Sequence, residues 1–114
     1  MSTVTIGVGS LDEALDRFEQ GWEGEKQNPH LSFETMELLW KTLTPRRFQM
    51  LQAMAGKEAM SLRALSRLVE RDVKTVHGDV HALLKAGVMK HGTDGGVVFP
   101  YDAIHVDFTV TAAA

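Results

Sequence analysis

Apolar and polar positions alternate near both ends of the chain and follow a helical spacing between them. Residues 3–8 alternate polar and apolar side chains, which predicts a short strand. Within residues 10–87 the apolar positions recur at intervals of three and four, which predicts a series of helices. Alternation returns in residues 88–90, 97–99 and 104–108 and predicts three further strands. The pattern indicates an α+β fold that is mostly α-helical.

The first two predicted helices precede the centre of the chain. The spacing of Ser10 and Glu13 predicts a capping box, in which each side chain would accept a hydrogen bond from the other residue's backbone N–H. The helix that they begin ends near Gly21. A loop containing Asn-Pro follows, and the second helix begins at Ser32 or Phe33.

Three more helices are predicted between residues 44 and 87. Thr44 suits the cap and Pro45 the first position of the third helix, because proline lacks an N–H that would be unpaired there. Ser61 caps the fourth helix, and Asp72 caps the fifth, which ends at Gly87. The apolar stripes predicted for the fourth and fifth helices are Leu62, Leu65, Leu68 and Val69, and Val73, Val76, Val80, Leu83 and Leu84.

The fourth and fifth predicted helices are separated only by the three residues 70–72. A break that short makes the two helices cross steeply, so the second helix, from about Val73 to Ala86, projects from the body. Such a helix fits the major groove of DNA, and the strands after it form a hairpin around the Gly92–Gly96 turn. The order predicts a winged helix-turn-helix with an N-terminal strand and helical extension.

The charge distribution also favours an anionic partner, although the net charge is −3. Residues 1–43 contain three basic and eight acidic side chains, and residues 44–91 contain nine basic and four acidic ones. Residues 92–114 contain three Asp and no Lys or Arg. A basic centre between acidic ends indicates one surface for nucleic acid.

The candidate DNA contacts lie on the predicted projecting helix and on the helices that support it. Lys74, Thr75 and His81 are expected to face base edges, whereas the arginines and Lys85 are expected to meet phosphates. Gly78 has no side chain, so the helix backbone could approach the duplex closely there. The candidate DNA-binding residues are Arg46, Arg63, Arg67, Arg71, Lys74, Thr75, Gly78, His81 and Lys85.

The run from Leu65 to Val80, continued by residues 83–88, resembles the winged helix-turn-helix regulators of the MarR-like superfamily. It is most similar to a group of small prokaryotic predicted regulators, some of which are antitoxins, and the Leu-Thr-Pro-Arg-Arg stretch at 43–47 resembles that group as well. The resemblance implies a repressor that binds double-stranded DNA as a homodimer. It also leaves an alternative, in which an antitoxin neutralises a cognate toxin through its N-terminal region and autoregulates its operon.

The chain departs from the pattern of those regulators at three positions. Ser66 stands where the motif usually has Ala, at a contact between helices. Glu70 stands where the turn often has Gly, and a non-glycine residue in a left-handed conformation costs about 1 kcal/mol. Gly78 stands where many relatives have a basic side chain.

The sequence predicts three parts, which are an N-terminal extension (1–43), a DNA-binding domain (44–110) and a tail (111–114). Amphipathic helices outside a winged domain commonly form a dimer interface, or they dock a second protein. They could also simply cover the core of the monomer. The candidate partner or dimer contacts are Leu15, Phe18, Trp22, Met36, Leu39 and Trp40.

Other kinds of site are not expected. The chain has no cysteine, and no pattern places a nucleophile beside a base, so we expect no enzyme and no cofactor. His77 and His81 have a spacing that metal sites use. We expect no metal, however, because His77 is predicted to pack beside the apolar stripe. With no apolar run of membrane-spanning length and no signal peptide, a cytoplasmic location without membrane contact is expected.

Overall fold

The computed structural model describes residues 2–9, 29–110 and 112, and it shows four helices and five strands in them. The structure is of the predicted α+β class. In chain order the elements are β1 (Thr3–Val8), β2 (His30–Phe33), α1 (Met36–Thr42), α2 (Pro45–Met54), α3 (Leu62–Val69), α4 (Val73–Lys85), β3 (Lys90–His91), β4 (Val97–Val98) and β5 (Ala103–Asp107). No helix in the described ranges is long and apolar enough to cross a membrane.

Strand β1, which the alternation of residues 3–8 predicts, is confirmed and forms the centre of a three-stranded parallel sheet. Both β2 and β5 pair with it, and the sheet buries Val4 and Ile6 completely. The strand predicted near Ile104 therefore pairs with β1 and does not extend the hairpin. Just before β1 and β5 begin, the Ser2 N–H donates a hydrogen bond to Asp102 Oδ2 at 2.9 Å.

The prediction that a helix begins at Ser32 or Phe33 is wrong, because both residues belong to β2. Strand β2 is only four residues long, and its pairing with β1 places Ser32 and Phe33 in the sheet, before the helical spacing of the apolar residues begins. The helix begins instead at Met36, where the Thr35 hydroxyl accepts a hydrogen bond from the Leu38 N–H at 3.1 Å. The helix predicted from Ser10 lies outside the described residues.

The three predicted caps Thr44, Ser61 and Asp72 are confirmed as the N-caps of α2, α3 and α4. In each case a side-chain oxygen accepts a hydrogen bond from the backbone N–H three residues later, at 3.1–3.3 Å. Pro45 takes the first helical position as expected. Each helix therefore begins with one of its unpaired N–H groups satisfied.

The core lies between the helices and the sheet, but two members of the predicted stripes do not reach it. Leu68 is 42% exposed, because it lies outside the face of α3 that Leu65 and Ser66 turn inward. Val73 is 44% exposed at the first position of α4, ahead of the first buried residue, Val76. The fully buried apolar residues include Leu39, Leu43, Met50, Leu51, Met54, Leu65, Val76, Leu83, Val88, Met89 and Phe99.

A tight turn joins α3 to α4. The Ser66 hydroxyl donates to the Arg71 carbonyl, and the Arg71 N–H donates to the Ser66 carbonyl at 3.1 Å. Glu70 caps α3 in the left-handed conformation, with φ 55° and ψ 47°. The backbone geometry at this position is therefore one that favours glycine, the residue that the resembled regulators often have there.

The β3–β4 hairpin is shorter than predicted. Val88 and Met89 do not pair with β4, because their N–H groups donate to the Leu83 carbonyl at the end of α4. Met60, just before α3, forms a bridge with Val97, so the hairpin is fixed to the beginning of the α3–α4 pair.

We predict that Glu70→Gly raises the free energy of unfolding by about 1 kcal/mol, because glycine adopts the left-handed conformation without steric cost. Urea denaturation at neutral pH measures the change. Glu70→Ala keeps the steric cost and removes only the carboxylate, so it serves as the control. An equal gain in both variants would assign the effect to charge and contradict the conformational explanation.

Candidate nucleic-acid interface

One side of α4 is turned away from the rest of the protein. Lys74, Gly78, His81 and Lys85 are exposed along it, and we call these four residues the α4 outer face. Among residues 2–9 and 29–110, neither lysine has an ion-pair partner. The only acidic residue of α4 is Asp79, which is buried. The outer face is thus a positive strip along the helix.

The opposite side of α4 holds the helix on the core. Val76, Val80 and Leu83 are buried there among residues of the other elements. Asp79 lies on the same side and is only 1% exposed. The rotation of α4 about its axis, and with it the direction of the outer face, therefore depends on apolar packing and on one buried carboxylate.

Two arginines from the first turn of α2 neutralise that carboxylate. Arg46 donates through Nε to Asp79 Oδ2 at 2.9 Å and through Nη2 to Oδ1 at 2.8 Å. Arg47 Nε donates to Asp79 Oδ1 at 3.0 Å, and its Nη1 donates to the Thr42 carbonyl at 2.9 Å. The Asp79 cluster, formed by these two arginines and Asp79, connects the end of α1, the beginning of α2 and the middle of α4.

Electrostatics within the Asp79 cluster favour its charged form. Burial opposes ionisation of Asp79, but the hydrogen bonds from Arg46 and Arg47, together with their positive charges, outweigh burial and lower the pKa of this carboxyl. The hydrogen bond and the charge of Asp79 also raise the pKa of Arg46. Arg46, predicted as a phosphate contact, thus has its guanidinium engaged by Asp79, although its side chain is 51% exposed.

The other predicted arginines surround the turn between α3 and α4. Arg71 Nη2 donates to Gln49 Oε1 at 2.8 Å and its Nη1 donates to the Arg46 carbonyl at 3.2 Å, so α2 fixes its orientation. Arg63 and Arg67 are exposed on α3, and no ion pair involves them in the part of the chain that the structure describes.

Thr75, a predicted base contact in the first turn of α4, is hydrogen-bonded within the protein. The Thr75 hydroxyl donates to Asp72 Oδ1 at 2.6 Å, and the Thr75 N–H donates to Oδ2 at 3.1 Å. These hydrogen bonds, led by that from the Thr75 hydroxyl, lower the pKa of Asp72. Thr75 is partly buried, and the proton of its hydroxyl is already committed to the cap.

A groove that the sequence did not predict lies between α4 and the β3–β4 hairpin. His77 and His81 lie on one wall with their rings parallel and their centroids 6.4 Å apart, and His91 lies on the hairpin side. His77 is exposed and does not pack in the way that was expected. In the described ranges, no three His, Asp or Glu side chains are grouped so that they could hold a metal ion.

The predicted partner contacts before residue 43 have different outcomes. Leu39 is wrong as a partner contact, because it is completely buried in the core of its own chain. Met36 is partly buried, and Trp40 is exposed. The Trp40 ring lies edge-on to the Phe108 ring, with 5.8 Å between the ring centroids. The remaining three, Leu15, Phe18 and Trp22, lie outside the described residues.

We predict that Asp79→Asn lowers the free energy of unfolding by about 1–2 kcal/mol at pH 7, because the hydrogen bonds from Arg46 and Arg47 lose the charge of the carboxylate. The effect is no larger because Arg46 is half-exposed and water screens part of the attraction. The folded-state pKa of Asp79 is lowered, so its contribution is complete above its unfolded pKa of about 3.9 and is lost as the pH falls through the folded value. Urea denaturation between pH 7 and pH 2.5 measures both proteins. A difference that stays constant over this range would contradict the ionic role.

A family model matches residues 42–106, which run from the end of α1 to the middle of β5. The matched segment contains the Asp79 cluster, the α4 outer face and the hairpin. No curated protein and no solved structure matches the chain. Because the match covers more than half of the chain, the protein belongs to the HVO_A0114 family.

Proposed function

We propose that this protein is a sequence-specific DNA-binding transcriptional regulator, a repressor that binds its operator through the α4 outer face. In this proposal α3 and α4 form a helix-turn-helix and the β3–β4 hairpin is the wing. The observation that carries the proposal is the α4 outer face itself, which has two lysines and a histidine, no acidic residue and a rigid support.

The dimensions of α4 suit the major groove. Thirteen residues make a helix about 20 Å long at 1.5 Å per residue, and the groove is about 12 Å wide. A helix-turn-helix protein places the first residues of its second helix against base edges. In this orientation Lys74 would reach a base, whereas Lys85, at the other end of the helix, would meet the phosphate backbone.

Basic side chains outside α4 would determine how the helix docks. Arg63 and Arg67 on α3 are exposed, and Arg71 is oriented by Gln49 at the turn, so these three residues would be the candidates for phosphate contacts outside α4. Arg46 would act on DNA only indirectly, because it holds Asp79.

The hairpin would contribute through its base and not through its tip. The tip contains Thr93 and Asp94 and no Lys or Arg, and a carboxylate there is repelled by phosphate. Lys90 and His91 at the base are exposed, and His91 borders the groove beside α4. We expect the wing to stay outside the minor groove.

The homodimer and the cognate toxin stay predictions of the sequence. The toxin would dock on the N-terminal region, and three of its candidate contacts lie outside the described residues. Trp40 is the exposed aromatic candidate in the described part of that region.

We predict that Lys74→Ala weakens DNA binding by about 1–3 kcal/mol if Lys74 reads a base. The DNA is selected from a pool of random 30-base-pair duplexes on the immobilised full chain, and affinity is measured by fluorescence anisotropy at several KCl concentrations. Lys57→Ala is the control, because its ammonium bonds the Ala53 carbonyl on α2 and lies off the outer face. If no duplex from the pool shows salt-dependent binding, the proposed function is wrong.

We predict that Gly78→Ala changes stability and affinity in opposite directions. A methyl group at Gly78 meets no atom within 4 Å, so alanine stabilises the helix by about 0.5–1 kcal/mol. The same methyl group stands where the duplex would approach the backbone, and affinity for the selected DNA should fall about tenfold. Urea denaturation and anisotropy measure the two effects.

Ala53→Gly in α2 is the matched control for Gly78→Ala, since it reverses the change in helix propensity away from the outer face. It should lower stability and leave affinity unchanged. Unchanged affinity of Gly78→Ala would show that the duplex does not approach α4 at this residue.

A further inference from the structure

Val73 is an apolar residue exposed at the beginning of α4, the helix that would bind DNA. It is the first residue of α4 and is 44% exposed, and the other large apolar residues with comparable exposure in the described ranges, Leu38, Trp40, Leu68 and Val110, lie outside α4. Part of its apolar side chain therefore stays in water, and this surface is available for an outside contact.

At this end of α4, few other side chains are available to contact base edges. The Asp72 carboxylate and the Thr75 hydroxyl are bonded to each other at 2.6 Å, and the carboxylate would be repelled by phosphates. The groups that remain available are the ammonium of Lys74 and the methyls of Val73. One is a hydrogen-bond donor and the other is purely apolar.

We infer that Val73 is a specificity-determining residue that contacts the C5-methyl group of a thymine in the major groove. The inference rests on the proposed function. Thymine is the base that presents a methyl group in that groove, and apolar side chains are its usual partners. The contact would remove both groups from water and would favour thymine over the other three bases at one position of each half-site.

Helix geometry decides how Val73 would reach that thymine. Val73 precedes Gly78 by five residues, which is about 7.5 Å along the helix axis and about 140° around it. Val73 therefore lies outside the α4 outer face, and it would reach a base from the N-terminal end of the helix, which a helix-turn-helix places against base edges.

The test uses the duplex selected on the full chain as described for Lys74. Each thymine of that duplex is replaced in turn by uracil, which removes the methyl group and keeps every hydrogen-bonding atom. For the wild-type protein, one replacement in each half-site should weaken binding about fourfold, which is the effect of one buried methyl-sized group.

The coupling between protein and base decides the inference. Val73→Ala should weaken binding to the thymine duplex by a similar factor, and the decisive uracil replacement should then have no further effect. Val73→Thr keeps one methyl group and should retain part of the sensitivity. Val110→Ala removes an exposed apolar side chain outside α4 and should retain all of it. Circular dichroism of each variant checks that α4 still forms.

The two proposals fail in different ways. Absence of any selected, salt-dependent duplex overturns the proposed function and the inference together. A selected duplex on which Lys74→Ala weakens binding, but on which no uracil replacement matters or Val73→Ala keeps full sensitivity, overturns the inference alone.

Discussion

The buried Asp79 carboxylate and its two arginines determine how α4 is oriented. An ionised carboxylate that is 1% exposed is tolerated only when it is paired, and Arg46 and Arg47 supply three hydrogen bonds between 2.8 and 3.0 Å. Both arginines begin α2, so the pairing fixes the middle of α4 against one end of its neighbour. The inward side of α4 carries Asp79 and its buried apolar neighbours, and Gly78 lies on the opposite, exposed side.

The Asp79 cluster contributes more to the orientation of α4 than to the stability of the protein. The desolvation free energy of the buried charges offsets much of their electrostatic attraction. A protein with well-packed apolar residues in place of a buried ion pair is therefore often equally stable. An apolar residue at this position would tolerate small rotations of the helix, whereas the two bonds from Arg46 to separate carboxylate oxygens would not. We expect this restriction to matter at the outer face, where a shift of about 1 Å separates a base contact from a missed one.

Features of the fold that depend on neighbours in sequence could be predicted, and those that depend on distant partners could not. The caps Thr44, Ser61 and Asp72 act within three residues, so their pattern is visible in the sequence. Strand β2 has four residues and exists because β1 pairs with it, and the partners of Asp79 precede it by 32 and 33 positions. Helical spacing assigned Val73 to the core, because a period does not show where the supporting elements end.

The charge distribution explains why a few contacts would have to carry specificity. The chain has a net charge of −3, and long-range attraction to a polyanion is correspondingly weak. In the described residues, the exposed basic groups on α3 and the α4 outer face are Arg63, Arg67, Lys74 and Lys85, and few phosphate contacts give little sequence-independent affinity. Under the proposed function, affinity would therefore depend on how base edges, groove shape and the backbone at Gly78 fit together. A precisely oriented α4 would then matter most for discrimination among duplexes.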